Sequence, residues 1–125
     1  MPFLTEPARQ TPVIHDCDLC VLGGSCTGVF AAVRAARLGA KVVLVERAGC
    51  FGGVATLSLV NVWHSPLDTE FKKPIIGGLT IELMDRMRRR GAVIDRANSA
   101  AWAWAFTPYD LVIELDKLVI EHRIT

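Results

Sequence analysis

Between residues 18 and 46 the chain reads DLCVLGGSCTGVFAAVRAARLGAKVVLVE, and no other stretch limits its fold as tightly. An apolar run, Leu19 to Leu22, meets Gly23, Gly24 and Gly28. An alanine-rich segment follows and stops at Gly39. A second apolar run, Lys41 to Val45, ends on an acid, Glu46. Strand, glycine turn, helix, strand, acid is the order of a βαβ unit, and it predicts an α/β fold with a Rossmann-like dinucleotide-binding unit.

Each residue type has a physical reason to be there. Gly23 lets the chain turn sharply off the first strand, and Gly28 lets the helix pack close to the sheet. The helix then directs its free N–H groups and partial positive charge at an anion. Glu46 follows Gly23 by 23 residues, where an acid accepts hydrogen bonds from ribose hydroxyls. Ser25 stands where G-x-G-x-x-G has its middle glycine, so only Gly23 and Gly28 match in strict register. Its hydroxyl could itself donate to a phosphate. The plainer alternative is a βαβ unit with a tight turn and no ligand. The candidate cofactor contacts in this stretch are Gly23, Gly24, Ser25, Cys26, Thr27, Gly28 and Glu46.

The next stretch, ERAGCFGGVATLSLVNVWH over residues 46–64, resembles the FAD-dependent oxidoreductase family with the glutathione-reductase-like FAD domain. The resemblance lies in Glu46-Arg47, then Gly49-Cys50-Phe51-Gly52-Gly53-Val54-Ala55-Thr56, then Trp63-His64. Gly77-Gly78-Leu79 leading into a helix and the helix opened by Thr107-Pro108 extend it. It is dense from about residue 16 to 66 and thinner to about 122. It implies FAD as cofactor, redox chemistry on an unidentified small organic substrate, and Arg47, Gly52, Gly53, Ala55 and Thr56 as further cofactor contacts. It also places His64 near the flavin, as the weak candidate for an acid or base; a structural loop histidine is the alternative.

With 125 residues the chain is long enough for one small domain. Members of the family it resembles are several times longer. The chain therefore reads as an N-terminal portion: an arm over residues 1–16 and an incomplete FAD domain over 17–125, stopping where a third strand would begin. Such a piece is expected to retain FAD weakly or not at all, not to turn over a substrate by itself, and to self-associate through exposed apolar surface. Two other readings stay open. One is an NAD(P)-binding module of a dehydrogenase. The other is a non-catalytic remnant that serves as an interaction piece.

A net charge of +1, from 14 basic and 13 acidic residues, gives no field to attract nucleic acid or membrane. The basic run Arg86 to Arg90 ends a predicted helix and reads as a solvated end that complements the helix dipole, with Gly91 just beyond it. The first 16 residues hold three prolines and no apolar core for a signal peptide, and Leu19 to Val33 is too short and too glycine-rich to span a bilayer. The cytoplasm is the default location.

Cys17 and Cys20 form a C-x-x-C without a second pair, and residues three apart on a strand face opposite sides, so no metal is expected. Cys26 lies at a helix N-terminus and reads as packing. The disulfide reductases related to the family above carry a second cysteine where this chain has Ala55, so Cys50 has no redox partner. Along the rest of the chain, helices are predicted over Gly28–Leu38, Leu79–Arg90 and from Pro108 onward, the last capped by Thr107 with Asp110 as the capping acid. Residues 49–76 look irregular, with Asp68, Glu70, Lys72 and Lys73 exposed. Ala101–Phe106 alternates as a short strand with Trp102, Trp104 and Phe106 on one side.

Overall fold

A computed structural model of the chain describes residues 2–95 and 104–125. The predicted βαβ unit is present. Strand β1 (Leu19–Leu22) pairs in parallel with β2 (Val42–Val45), Leu19 opposite Val42 and Leu22 opposite Val45, and helix α1 (Cys26–Arg37) joins them. The helix begins two residues earlier than the glycine pattern suggests, because Ser25 acts as its N-cap: the Ser25 hydroxyl accepts from the Gly28 N–H at 3.3 Å. Thr125 lies alongside β2. Its N–H donates to the Val42 carbonyl at 3.2 Å and its carbonyl accepts from the Leu44 N–H at 2.8 Å.

A second layer follows β2. After a short 3₁₀ turn at Gly53–Ala55 come β3 (Val62–Trp63), α2 (Leu79–Arg89), β4 (Val93–Asp95), β5 (Trp104–Phe106) and α3 (Pro108–Glu121). The three strands form an antiparallel sheet in the order β3-β5-β4. Residues 49–76 are largely irregular, as expected, apart from the 3₁₀ turn and β3. Of the expected strand at 101–106, residues 104–106 form β5; Trp102 lies outside the described residues.

The core explains why three helices can share so small a fold. Val29, Ala32 and Val33 of α1, Leu83 and Met87 of α2, and Leu111, Leu115 and Leu118 of α3 recur at helical spacing and are all buried together with Val42 and Leu44. Small alanines on α1 allow close approach. Residues 2–16 form no regular element and are exposed.

All three helices end with the same pair of backbone bonds, which close the last turn onto a left-handed residue. In α1 the Gly39 and Ala40 N–H groups donate to Ala36 and Ala35, and in α2 those of Gly91 and Ala92 donate to Arg88 and Met87. In α3 the left-handed position is Arg123, at φ 53°. Its N–H and that of Ile124 donate to Ile120 and Val119.

Two local expectations fall short, both because tertiary partners take the charged groups. Thr107 precedes α3, but its side chain makes no cap bond, and Asp110 accepts from Arg90 at 2.9 Å instead of closing a capping box. The basic run is more than a solvated helix end: Arg88, Arg89 and Arg90 are exposed, but the run also pairs with α3. Arg86 grips Glu121 through two bonds of 2.8 and 2.7 Å and reaches Glu82 at 3.2 Å; Arg90 also pairs with the buried Glu114. Glu82 in turn takes both terminal nitrogens of Arg37 at 2.7 Å, and Arg37 Nε donates to His122 Nε2 at 2.9 Å. The network ties α1, α2 and α3 together. Asp68, at the surface, accepts the Lys72 N–H at 2.8 Å.

Two predictions follow from these ends and pairs. Arg123→Gly removes a left-handed side chain and should stabilise the fold by about 1 kcal/mol, read from the urea midpoint. Arg37 beside Glu82 holds its carboxyl at about 2, below its ordinary value of 4.5. Because the folded value is the lower one, its contribution is complete above pH 4.5 and is lost as pH falls toward about 2. Urea unfolding of Glu82→Gln should therefore show a shallower loss of stability across that window than wild type. Parallel pH profiles for the two proteins would show that Glu82 contributes nothing there.

Candidate functional site: a glycine turn closed by an acid and a second glycine segment

β1 ends at Leu22, and the chain turns at Gly23 with φ 100°, its N–H donating to the Val45 carbonyl at 2.8 Å. This bond places the turn beside the end of β2, from which Glu46 projects. Glu46 Oε2 accepts the Gly24 N–H at 2.6 Å, and Oε1 accepts the Ala48 N–H at 2.8 Å. The acid is thus already bonded to the turn. The Ala48 and Gly24 N–H groups hold its carboxyl below the usual carboxylate range. A carboxylate offers about four lone-pair sites, so two such bonds leave acceptor capacity for hydroxyls.

A second glycine segment packs over the first. The Gly52 N–H donates to the Gly24 carbonyl at 2.8 Å, and Gly52 lies in register with Ser25 as a parallel bridge. The Phe51 ring covers Gly24 so closely that a Cβ there would collide with it, and a Cβ on Gly52 would collide with Thr56. Gly53 abuts Ser25, and the Thr56 hydroxyl donates to the Phe51 carbonyl at 2.7 Å, locking the short 3₁₀ turn that carries Ala55. The structure therefore brings together Gly23, Gly24, Ser25, Gly28, Glu46, Gly52, Gly53 and Thr56 of the sequence-derived set. Cys26 and Thr27 open α1, where no carbonyl lies four residues back within the helix to accept their N–H groups. Arg47 follows Glu46 and is exposed.

Gly28 has the most stringent requirement: a Cβ there would overlap the Gly23 carbonyl oxygen. The close approach of α1 to the end of β1 exists only because position 28 has no side chain. Beside the acid lies a hollow of about 230 Å³ lined by Glu46, Ala48, Gly49, Cys50, Phe51 and Asp116. Asp116 reaches it from α3, and neither it nor Phe51 was marked by the sequence pattern. A ring contact across 27 residues and a carboxylate 70 residues away leave no local signature.

Burial pushes the Cys26 thiol up to about 11, and its Sγ faces the Gly52 carbonyl at 3.7 Å. It is a protonated packing group at neutral pH, as the sequence suggested. All four cysteines are free thiols. His64 is not part of this cluster; it lines a separate apolar cavity with Trp63 and Trp104. Among the described residues no helix is long and apolar enough to cross a membrane.

The turn's geometry makes a sharp prediction. Gly28→Ala should destabilise the chain by roughly 1–3 kcal/mol, because helix and strand must separate. Gly49→Ala, which meets nothing within 4 Å, should stay within about 0.5 kcal/mol of wild type. Equal urea midpoints for the two variants would contradict the close packing at Gly28.

Comparison with known proteins fits this geometry. Dihydrolipoyl dehydrogenase of Schizosaccharomyces pombe is 32% identical over 84 residues, covering 58% of this chain and 16% of that protein. The enzyme of the same name from Bacillus subtilis is 28% identical over 88 residues, covering 63% and 19%. The chain thus spans less than a fifth of the length of these relatives. Among solved structures, THI4 of Thermovibrio ammonificans superposes with a TM-score of 0.55 at 18% identity, covering 87% of this chain and 37% of that one, which shows a shared fold. Residues 18–125, nearly the whole chain from the start of the βαβ unit, match the family described as FAD dependent oxidoreductase, and the chain belongs to that family.

Proposed function

We propose that this chain is the part of a flavin-dependent oxidoreductase that holds the ADP half of FAD. The observation that supports this most directly is the bond from the Gly24 N–H to Glu46, which puts a phosphate-sized glycine turn, a helix N-terminus and a ribose-binding acid at one point. Gly28 fits the same reading: without a side chain there, α1 packs against the Gly23 carbonyl and its first turn stays beside the glycine turn. In this reading the first turn of α1 faces the pyrophosphate. Glu46 uses its remaining lone pairs on the ribose, and the hollow beside Glu46 and Asp116 takes the adenosine end. FAD, when bound, supplies the two-electron chemistry. The protein's own contribution is to bind, orient and neutralise.

The activity of the whole protein, its small-molecule substrate and its acceptor extend beyond these residues and belong to the same proposal. We assign the chain to the cytoplasm, in line with its four free thiols. Exposed Leu57, Leu59 and Val60, next to the second glycine segment, favour self-association of the chain expressed by itself.

The test is spectroscopic. FAD titrated into the protein should show saturable, weak binding in its flavin absorbance, and Glu46→Ala should weaken that binding by roughly 1–3 kcal/mol. Ser25→Gly should retain it, since the Ser25 hydroxyl caps α1 and glycine is accepted at a cap. A colourless protein that instead binds NAD would replace this reading with a nicotinamide module. Full FAD retention by Glu46→Ala would remove the acid from the site.

A further inference from the structure

A second cavity, of about 260 Å³, lies away from the glycine turn, between β3, β5 and the first half of α2. Two indoles, Trp63 and Trp104, form one side; Ile81 and Met84 form the other; His64 and Thr80 supply its hydrogen-bonding side chains. The indoles are neighbours because Trp63 and Trp104 are direct partners in the β3–β5 pairing.

Each indole is fixed by something other than a ligand. The Arg88 guanidinium sits 3.7 Å from the centre of the Trp104 ring, and Asp85 holds that guanidinium at 3.1 Å. Trp63 packs on Phe106 with ring centres 4.9 Å apart at 58°. The aromatic side is therefore set in advance, and a guest would not have to order it. Met84 is 2% exposed yet borders the space, so the cavity reaches the buried face of α2. Thr80, half-buried at the start of α2, brings a hydroxyl to the edge of this otherwise apolar space. For scale, an apolar cavity of about 150 Å³ takes up benzene.

We propose that this cavity, with its two pre-set indoles and the Thr80 side chain at its edge, binds a one- or two-ring aromatic compound carrying a hydrogen-bonding group. The rings lie against Trp63 and Trp104, where offset or edge-to-face contact favours an aromatic guest over an aliphatic one of equal size. The polar group meets Thr80 or His64. As a statement about the oxidoreductase's substrate class, this rests on the function proposed above; as a statement about binding, it does not.

The experiment uses the full 125-residue chain with 2-naphthol as probe and cyclohexanol as the aliphatic comparison, by calorimetry and by NMR of the indole N–H groups. The expected result is saturable 2-naphthol binding that shifts the Trp63 and Trp104 resonances, with cyclohexanol weaker. Ile81→Trp, which fills the space, should abolish binding. Thr80→Val, nearly the same shape, should weaken it about three- to tenfold, and it keeps the test alive if Ile81→Trp does not fold. Absence of saturable binding, or equal affinity in wild type and every folded variant, overturns the proposal. So does displacement of 2-naphthol by FAD, which would make the cavity part of the flavin's own site. FAD absorbance followed in the same samples separates the two failures: naphthol binding without FAD binding sinks only the dinucleotide reading, and the reverse sinks only this one.

Discussion

The Glu46 carboxylate is the interaction on which the rest of the site depends. It ends β2, accepts the Gly24 N–H of the first glycine turn and the Ala48 N–H of its own turn, and so fixes where three segments meet. Gly24 then serves as a hub: its N–H goes to Glu46, its carbonyl accepts from Gly52, and the Phe51 ring covers it. Any displacement of one partner moves the others. An acid usually described by the hydroxyls it accepts is here also the part that shapes the turn.

The helix that presents those N–H groups is held from behind. Arg37, near the end of α1, bonds Glu82 of α2 and His122 just past α3, while Arg86 carries the network on to Glu121. Half-exposed pairs of this kind contribute little one by one. Their value lies in connection: bidentate geometry at Arg37 and Arg86 fixes the angles among three helices whose buried apolar side chains supply most of the stabilisation. His122 fits the network with its Nδ1 directed to the Leu118 carbonyl at 2.8 Å and its Nε2 left to accept from Arg37. The second layer has its own organisation. The antiparallel sheet and α2 border an aromatic cavity with no residue in common with the turn, so the small fold offers two chemically different recesses, one beside the Glu46 carboxylate and one lined by indoles.

The local pattern of the sequence was sufficient for everything short-range. Apolar runs bounded by Gly23, Gly39 and Glu46 determined both parallel strands and the helix between them, because backbone turns and helix ends depend on residues only a few positions apart. The same holds for α2 and α3, where leucines at helical spacing mark the buried face. The demand for glycine at position 28 was also readable, since the motif itself encodes the close approach. The family followed from Gly52-Gly53 and its neighbours, whose order along the chain carries the resemblance. What only the tertiary structure decided was the partner of each charged or aromatic group. Arg86 and Arg90 looked like a solvated helix end until α3 supplied Glu121, Asp110 and Glu114. Asp110 occupied the position of a capping acid but was taken by Arg90. Phe51 and Asp116 entered the site, and Trp63 and Trp104 became one surface, through contacts between residues far apart in the chain. Such choices depend on distances between elements, which composition and periodicity do not contain.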